Sequence, residues 1–148
     1  MAAILVIVFG ALVAVLIVGG NVPAFGGDVV NDKVKSIAQA IAQAEGFGVA
    51  GAIPTRANNP GDLKLGDIGN GAINGKTVFA SESDGWAALY KQINLMVSGG
   101  SSYYAPTDSW RAIAKTWVGT SDYVNWLSTV VDSLGVDPDS TLQEYMDS

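Results

Sequence analysis

The chain has no cysteine and no histidine among its 148 residues. Those two absences exclude Ser-His-Asp and Cys-His nucleophilic catalysis, and any zinc site built on His or Cys ligands. A chain without cysteine is at home in either redox compartment, so the compartment stays open. Basic residues are also scarce: 8 Lys and Arg stand against 14 Asp and Glu, a net charge of −6. No basic stripe is available to track phosphates, so nucleic acid is not expected as a partner. Only carboxylates, Tyr, Lys and Arg remain for acid-base work, and no metal or cofactor is expected.

Polar side chains are missing from Ala2 to Val18, and no charge occurs before Asp28. A run of this length reads as one membrane-spanning helix over residues 1–20. A secretory signal peptide would carry a basic n-region, whereas this segment begins Met1-Ala2-Ala3-Ile4. A buried core helix is the third reading, but the Gly19-Gly20-Asn21-Val22-Pro23 that follows suits a span and its linker. The chain therefore divides into an anchor at 1–20, a Gly-rich linker at 21–28 and one domain at 29–148. Asp28 and Asp32 accompany the nearest lysines, Lys33 and Lys35, so charge does not orient the span.

Within the domain, Val30, Val34, Ile37, Ile41 and Ala44 recur at helical spacing and define a buried stripe, with Asp28 or Asn31 as cap. At about 100° per residue Glu45 falls roughly 60° from the centre of that stripe, at the margin of the core. A carboxyl group against apolar surface is costly to ionise, so it can hold a proton near neutral pH, as a general acid must. Gly46 then stops the helix, and Asn58-Asn59-Pro60-Gly61 forms a turn with side-chain amides.

Frequent Gly, with Pro54 and Pro60 breaking any helix, makes Gly46 to Ala80 a loop and a small two- or three-stranded sheet. Asn74-Gly75 between Ala72-Ile73 and Lys76-Thr77-Val78-Phe79 signals a hairpin. Ser83 is expected to cap a second helix, with Trp86, Leu89, Tyr90, Ile93, Met96 and Val97 on its apolar face, ending at Gly99-Gly100. Thr107 or Asp108 should cap a short helix carrying Trp110, Ile113 and Trp117. Thr120 should cap the next, whose face is Tyr123, Val124, Leu127, Val130, Val131 and Leu134 before Gly135. Ser140 to Met146 completes a mainly α (α+β) domain.

The runs Ala44-Glu45-Gly46-Phe47, Asn58-Asn59-Pro60-Gly61-Asp62-Leu63, Val78-Phe79-Ala80-Ser81 and Asp84-Gly85-Trp86-Ala87-Ala88-Leu89 carry a resemblance. In order and spacing they resemble the lysozyme-superfamily domains of bacteriophage peptidoglycan-degrading enzymes, lytic transglycosylases in particular, over about Val30 to Leu142. The resemblance implies a lysozyme-like domain with a small β-hairpin region, here preceded by one transmembrane helix. It implies that Glu45 protonates the glycosidic oxygen. It also implies that Asn58 and Asn59 hydrogen-bond the glycan, although an Asn before Pro also organises turns through its own side chain. Tyr123 occupies the place where family members present an aromatic residue to the cleft, with Trp117 behind it. Tyr103 and Tyr104, in a loop before Pro106, are expected as exposed sugar platforms, and most of Trp110, Trp117 and Trp126 as core.

The reaction type turns on a second carboxylate. Asp62 and Asp67 lie in the right region, in a Gly-rich segment where solvation is expected to keep them ordinary acids, and Asp84 near Ser83 supports a cap. A lytic transglycosylase needs one acid/base only, because the sugar's own hydroxyl is the nucleophile, and the resemblance favours that chemistry. A lysozyme-type hydrolase and a catalytically silent, membrane-anchored glycan-binding or virion structural protein stand as alternatives. So does a single-pass protein whose domain only binds another protein. The implied partners are peptidoglycan glycan strands, lipid through residues 1–20 and virion proteins. The implied location is a phage virion membrane or the host inner membrane, facing the periplasm.

Overall fold

The computed structural model describes residues 31–148 together with the backbone of two short N-terminal stretches. Those stretches, β1 (Ile4–Phe9) and β2 (Leu12–Ile17), pair antiparallel, with Ile4 opposite Ile17 and Phe9 opposite Leu12. They are extended, not the single helix expected over 1–20, and among the described residues no helix is long and apolar enough to cross a membrane. An apolar run rich in Ile and Val has no helical period of its own and pairs well as strands. The advantage of a helix, satisfying every backbone group internally, is decisive only in lipid. The rest of residues 1–30, with the linker at 21–28, lies outside the described residues.

Six helices and a small hairpin make up the domain. Helix α1 (Asp32–Ala44) starts at Asn31, whose side chain accepts from the Lys33 amide. Val34, Ile37 and Ile41 of the expected stripe are buried together with Ala38, Ala40 and Ala42, so this helix packs on several sides; Ala44 is partly buried, and Val30 lies outside the described residues. Small side chains allow it to be flanked by α3 (Glu82–Ser98) and α5 (Tyr123–Leu134). The fully buried Trp110 and Ile113 of α4 (Trp110–Val118) and Leu142 of α6 (Leu142–Asp147) join the same core.

Helix caps were the least legible feature of the sequence. Ser81, not Ser83, caps α3 by accepting from the Asp84 amide, and Ser109, not Thr107 or Asp108, caps α4 through Ala112. Asp122 precedes α5 in place of Thr120 and makes no side-chain cap bond. A cap needs its oxygen within reach of an amide two or three residues on, a condition several neighbouring Ser, Thr and Asp residues meet on paper. On α5 Leu127, Val130 and Val131 are buried as expected and Trp126 joins them, but Val124, expected on that face, is 61% exposed.

Between α1 and α3 the chain forms the hairpin of β3 (Ala72–Ile73) and β4 (Lys76–Thr77), with Ala72 opposite Thr77, and a short α2 (Ile53–Arg56) where no helix was expected: Pro54 falls in its first turn, where a missing N–H breaks no helical bond. Asn74 and Gly75 both take positive φ, 49° and 77°, as the expected tight turn requires. Helix α3 abuts the loop before the hairpin so closely that a Cβ at Gly85 would lie 1.8 Å from the Asn58 carbonyl oxygen. That contact joins two motifs that are far apart in sequence. Only glycine permits it.

Candidate active site

Glu45 is the C-terminal cap of α1. Gly46, at φ 77°, donates to the Gln43 carbonyl at 3.1 Å, and Phe47 donates to the Ala42 carbonyl at 2.9 Å. This pair of bonds is a Schellman closure, which ends the helix one residue after the acid and holds the acid's backbone in place. Phe47 then packs edge-on against Trp86 of α3, with ring centroids 5.6 Å apart.

The carboxyl group faces an aromatic wall. Trp126 Nε1 of α5 donates to Glu45 Oε1 at 2.8 Å. Trp126 stacks on Trp117 of α4 at 5.9 Å, and Trp117 meets Tyr104 at 5.7 Å. Burial pushes the Glu45 carboxyl up to about 7. The Trp126 N–H opposes that rise by favouring the charged form, the Asp62 charge adds to it, and Lys76 and the Trp117 indole oppose it more weakly. Burial, with the Glu45 charge second, pushes the Tyr104 phenol up to about 12, so Tyr104 stays a neutral donor.

Beside this wall lies a cleft of about 310 Å³ lined by Gly61 to Leu65, Lys76, Gln92, Tyr103, Tyr104, Thr116 and Trp117. Glu45 does not itself line that volume; its neighbours Asp62, Lys76, Tyr104 and Trp117 do. A larger groove of about 670 Å³ runs along α3 past Tyr90, Lys91 and Leu95, but its only titratable side chains are Tyr90 and Lys91. The charged and phenolic neighbours of Glu45 line the smaller cleft.

Several expectations for the site need correction. Asn59 is fully buried and spends its amide on the backbone: Nδ2 donates to Leu63 and Thr77 carbonyls at 3.0 and 2.9 Å, and Oδ1 accepts from the Leu63 amide at 2.8 Å. It holds the loop and has no polar group left for a glycan. Asn58, at φ 51°, donates to the Phe79 carbonyl at 3.1 Å and likewise organises the turn. Asp67 is exposed and accepts from the Gly69 and Gly71 amides, which hold its carboxyl below the usual range. It serves a turn and does not reach the cleft lining.

Asp62 is not the solvated acid the Gly-rich segment suggested. Its side chain is only 14% exposed and forms an ion pair with Lys76, itself 21% exposed, while Oδ1 is buried without a partner. Thr77, next to Lys76, ties the hairpin to the same loop by donating its amide to Leu63 and its hydroxyl to Gly66. Tertiary pairing removes Asp62 from water; local composition could not reveal that.

The aromatic assignments also shift. Tyr123 lies under the Lys115 ammonium, 5.1 Å from its ring centroid, and turns toward α4. Trp126, one turn later, takes the place at the acid. Tyr104 lines the cleft but is half-buried on Trp117 and not exposed as expected, whereas Tyr103 is 78% exposed. The signal that could have singled out Trp126 is its indole N–H: a tryptophan on a buried face needs an acceptor for that group.

In comparisons with protein-family models, curated proteins and solved structures, none matches this chain.

Proposed function

We propose that this protein cleaves the β-1,4 glycosidic bond between N-acetylmuramic acid and N-acetylglucosamine in peptidoglycan, without water, as a lytic transglycosylase. The carrying observation is Glu45, half-buried under Trp126 at the margin of an aromatic-walled cleft and poised near pH 7. A carboxyl group in that state donates its proton to the glycosidic oxygen as the C–O bond breaks. The resulting carboxylate is stabilised by the Trp126 N–H. It then takes the proton of the muramyl C6 hydroxyl, whose oxygen bonds to C1 and closes a 1,6-anhydro ring. Tyr104 and Tyr103 offer ring faces on which sugars stack.

A second reading has one specific observation in its favour. Asp62 is a second, half-buried carboxylate held by Lys76 in the cleft beside the acid, and in a lysozyme-type hydrolase such a group would activate water or act as nucleophile. Mass spectrometry of digested murein separates the two, and zymography separates both from a silent glycan-binding or virion structural module.

The apolar run over residues 1–20 supports membrane attachment, which would confine cleavage to the region where wall meets membrane, in a virion membrane or at the periplasmic face of the host inner membrane. Recovery of the intact N-terminus in the membrane fraction tests attachment; a mature protein lacking its first twenty or so residues overturns it.

A further inference from the structure

The hairpin does more than close the loop. Its turn at Asn74-Gly75 brings Lys76 back across to Asp62, where the ammonium donates to the carboxylate and, at 3.2 Å, to the Asp62 carbonyl. Asp62 is held from its backbone as well: it sits at φ 50°, and its amide donates to the Asn59 carbonyl at 3.0 Å. A half-buried ion pair is therefore built at the cleft from two separate segments. A non-Gly residue at positive φ is uncommon and marks a place where the surroundings dictate the backbone.

We propose that Lys76 is a positioning residue that acts on Glu45 through Asp62: the hairpin brings its ammonium to the cleft to cancel the charge of the other carboxylate beside the acid. The Glu45 carboxyl accepts from the Trp126 indole of α5, which stacks on Trp117 of α4, and Trp117, the neutral phenol of Tyr104 and this pair line one cleft beside it. Two of them carry full charge, and their signs are opposite. Removing one leaves the other uncompensated in a poorly screened setting, where a unit charge acts strongly on its neighbours. Removing both leaves Glu45 close to where it began. The electrostatic linkage stands whether or not the protein cleaves murein; its consequence for cleavage rests on the function proposed above.

The test follows the Glu45 carboxyl directly, by carbon-detected NMR titration of the full chain in detergent micelles. Lys76→Met should move the Glu45 midpoint up by roughly one pH unit, and Asp62→Asn should move it down by a similar amount. The double variant should return it near the parent value, and Lys76→Arg should leave it near the parent. In murein cleavage the alkaline limb of the pH profile should follow the same order. A purely structural pair would give a double variant no better than the worse single one. Single variants that shift the midpoint in the same direction, or an Asp62→Asn protein with an unmoved midpoint, overturn the inference. Because Asp62→Asn is nearly isosteric, that arm holds even if Lys76→Met does not fold. Parent protein that titrates as expected yet leaves murein uncut overturns the proposed function and not this linkage.

Discussion

The Trp126 indole N–H donates to Glu45 Oε1 at 2.8 Å across 81 residues of chain. The bond is aimed at the atom whose charge must rise when the acid gives up its proton. Burial raises the proton affinity of Glu45 and the indole limits that rise, so two opposed effects hold the group at about 7. The same indole stacks on Trp117 and belongs to the core, so the acid is oriented by an element that cannot easily move.

Trp126→Phe should therefore keep the ring stack and lose the hydrogen bond. Glu45 then loses a group that favours its charged form, and its midpoint should rise above the parent value. The alkaline limb of activity should move upward while the maximal rate falls, since the carboxylate formed during proton transfer is less stabilised. A pH–rate profile identical to the parent's would show that the bond is incidental.

Glu45→Gln should fold and lose murein cleavage by about 10²–10⁴-fold or more, because Gln keeps the shape and cannot deliver a proton. The same variant has a stability signature. The folded protein holds a proton on Glu45 from its ordinary 4.5 up to about 7, whereas the unfolded chain releases it. The stability this provides is complete below about 4.5 and is lost as pH rises through about 7. Gln suffers no such loss, so chemical denaturation should find the variant gaining on the parent toward pH 8 and the gap closing toward pH 4.

Released muropeptides should carry 1,6-anhydro-muramic ends and weigh one water less than lysozyme products. Asp67→Asn should cleave as the parent does, since Asp67 serves only the turn at Gly69 and Gly71. Asp62→Asn should be milder than Glu45→Gln. Ordinary reducing ends in the mass spectrum, together with a severe loss in Asp62→Asn, would identify a hydrolase in which Asp62 activates water or acts as the nucleophile.

Asn59→Ala should cost stability and not affinity. It removes three hydrogen bonds in a fully buried position and strands the Leu63 amide, a loss of roughly 3 kcal/mol or more. Binding of glycan fragments, measured by calorimetry well below the unfolding transition, should stay near the parent's. A large drop in affinity in a folded variant would return Asn59 to the glycan-binding residues.

The helices other than the short α2, the glycine terminators at Gly46, Gly99 and Gly135, and the Asn74-Gly75 hairpin were legible in the sequence because each depends on a local period or on a backbone angle that few residues accept. Glu45 was legible for the same reason, being the last residue before a helix stop and at the edge of an apolar stripe. What only the tertiary structure decided is how long-range partners change a residue's chemistry. Asn59 is consumed by backbone groups at Leu63 and Thr77, Asp62 is drawn out of water by Lys76, and the indole that meets the acid is Trp126. Helical period locates a side chain on a face but does not identify the group opposite it. Hydrogen bonds and desolvation depend on that group, and it arrives from a distant part of the chain.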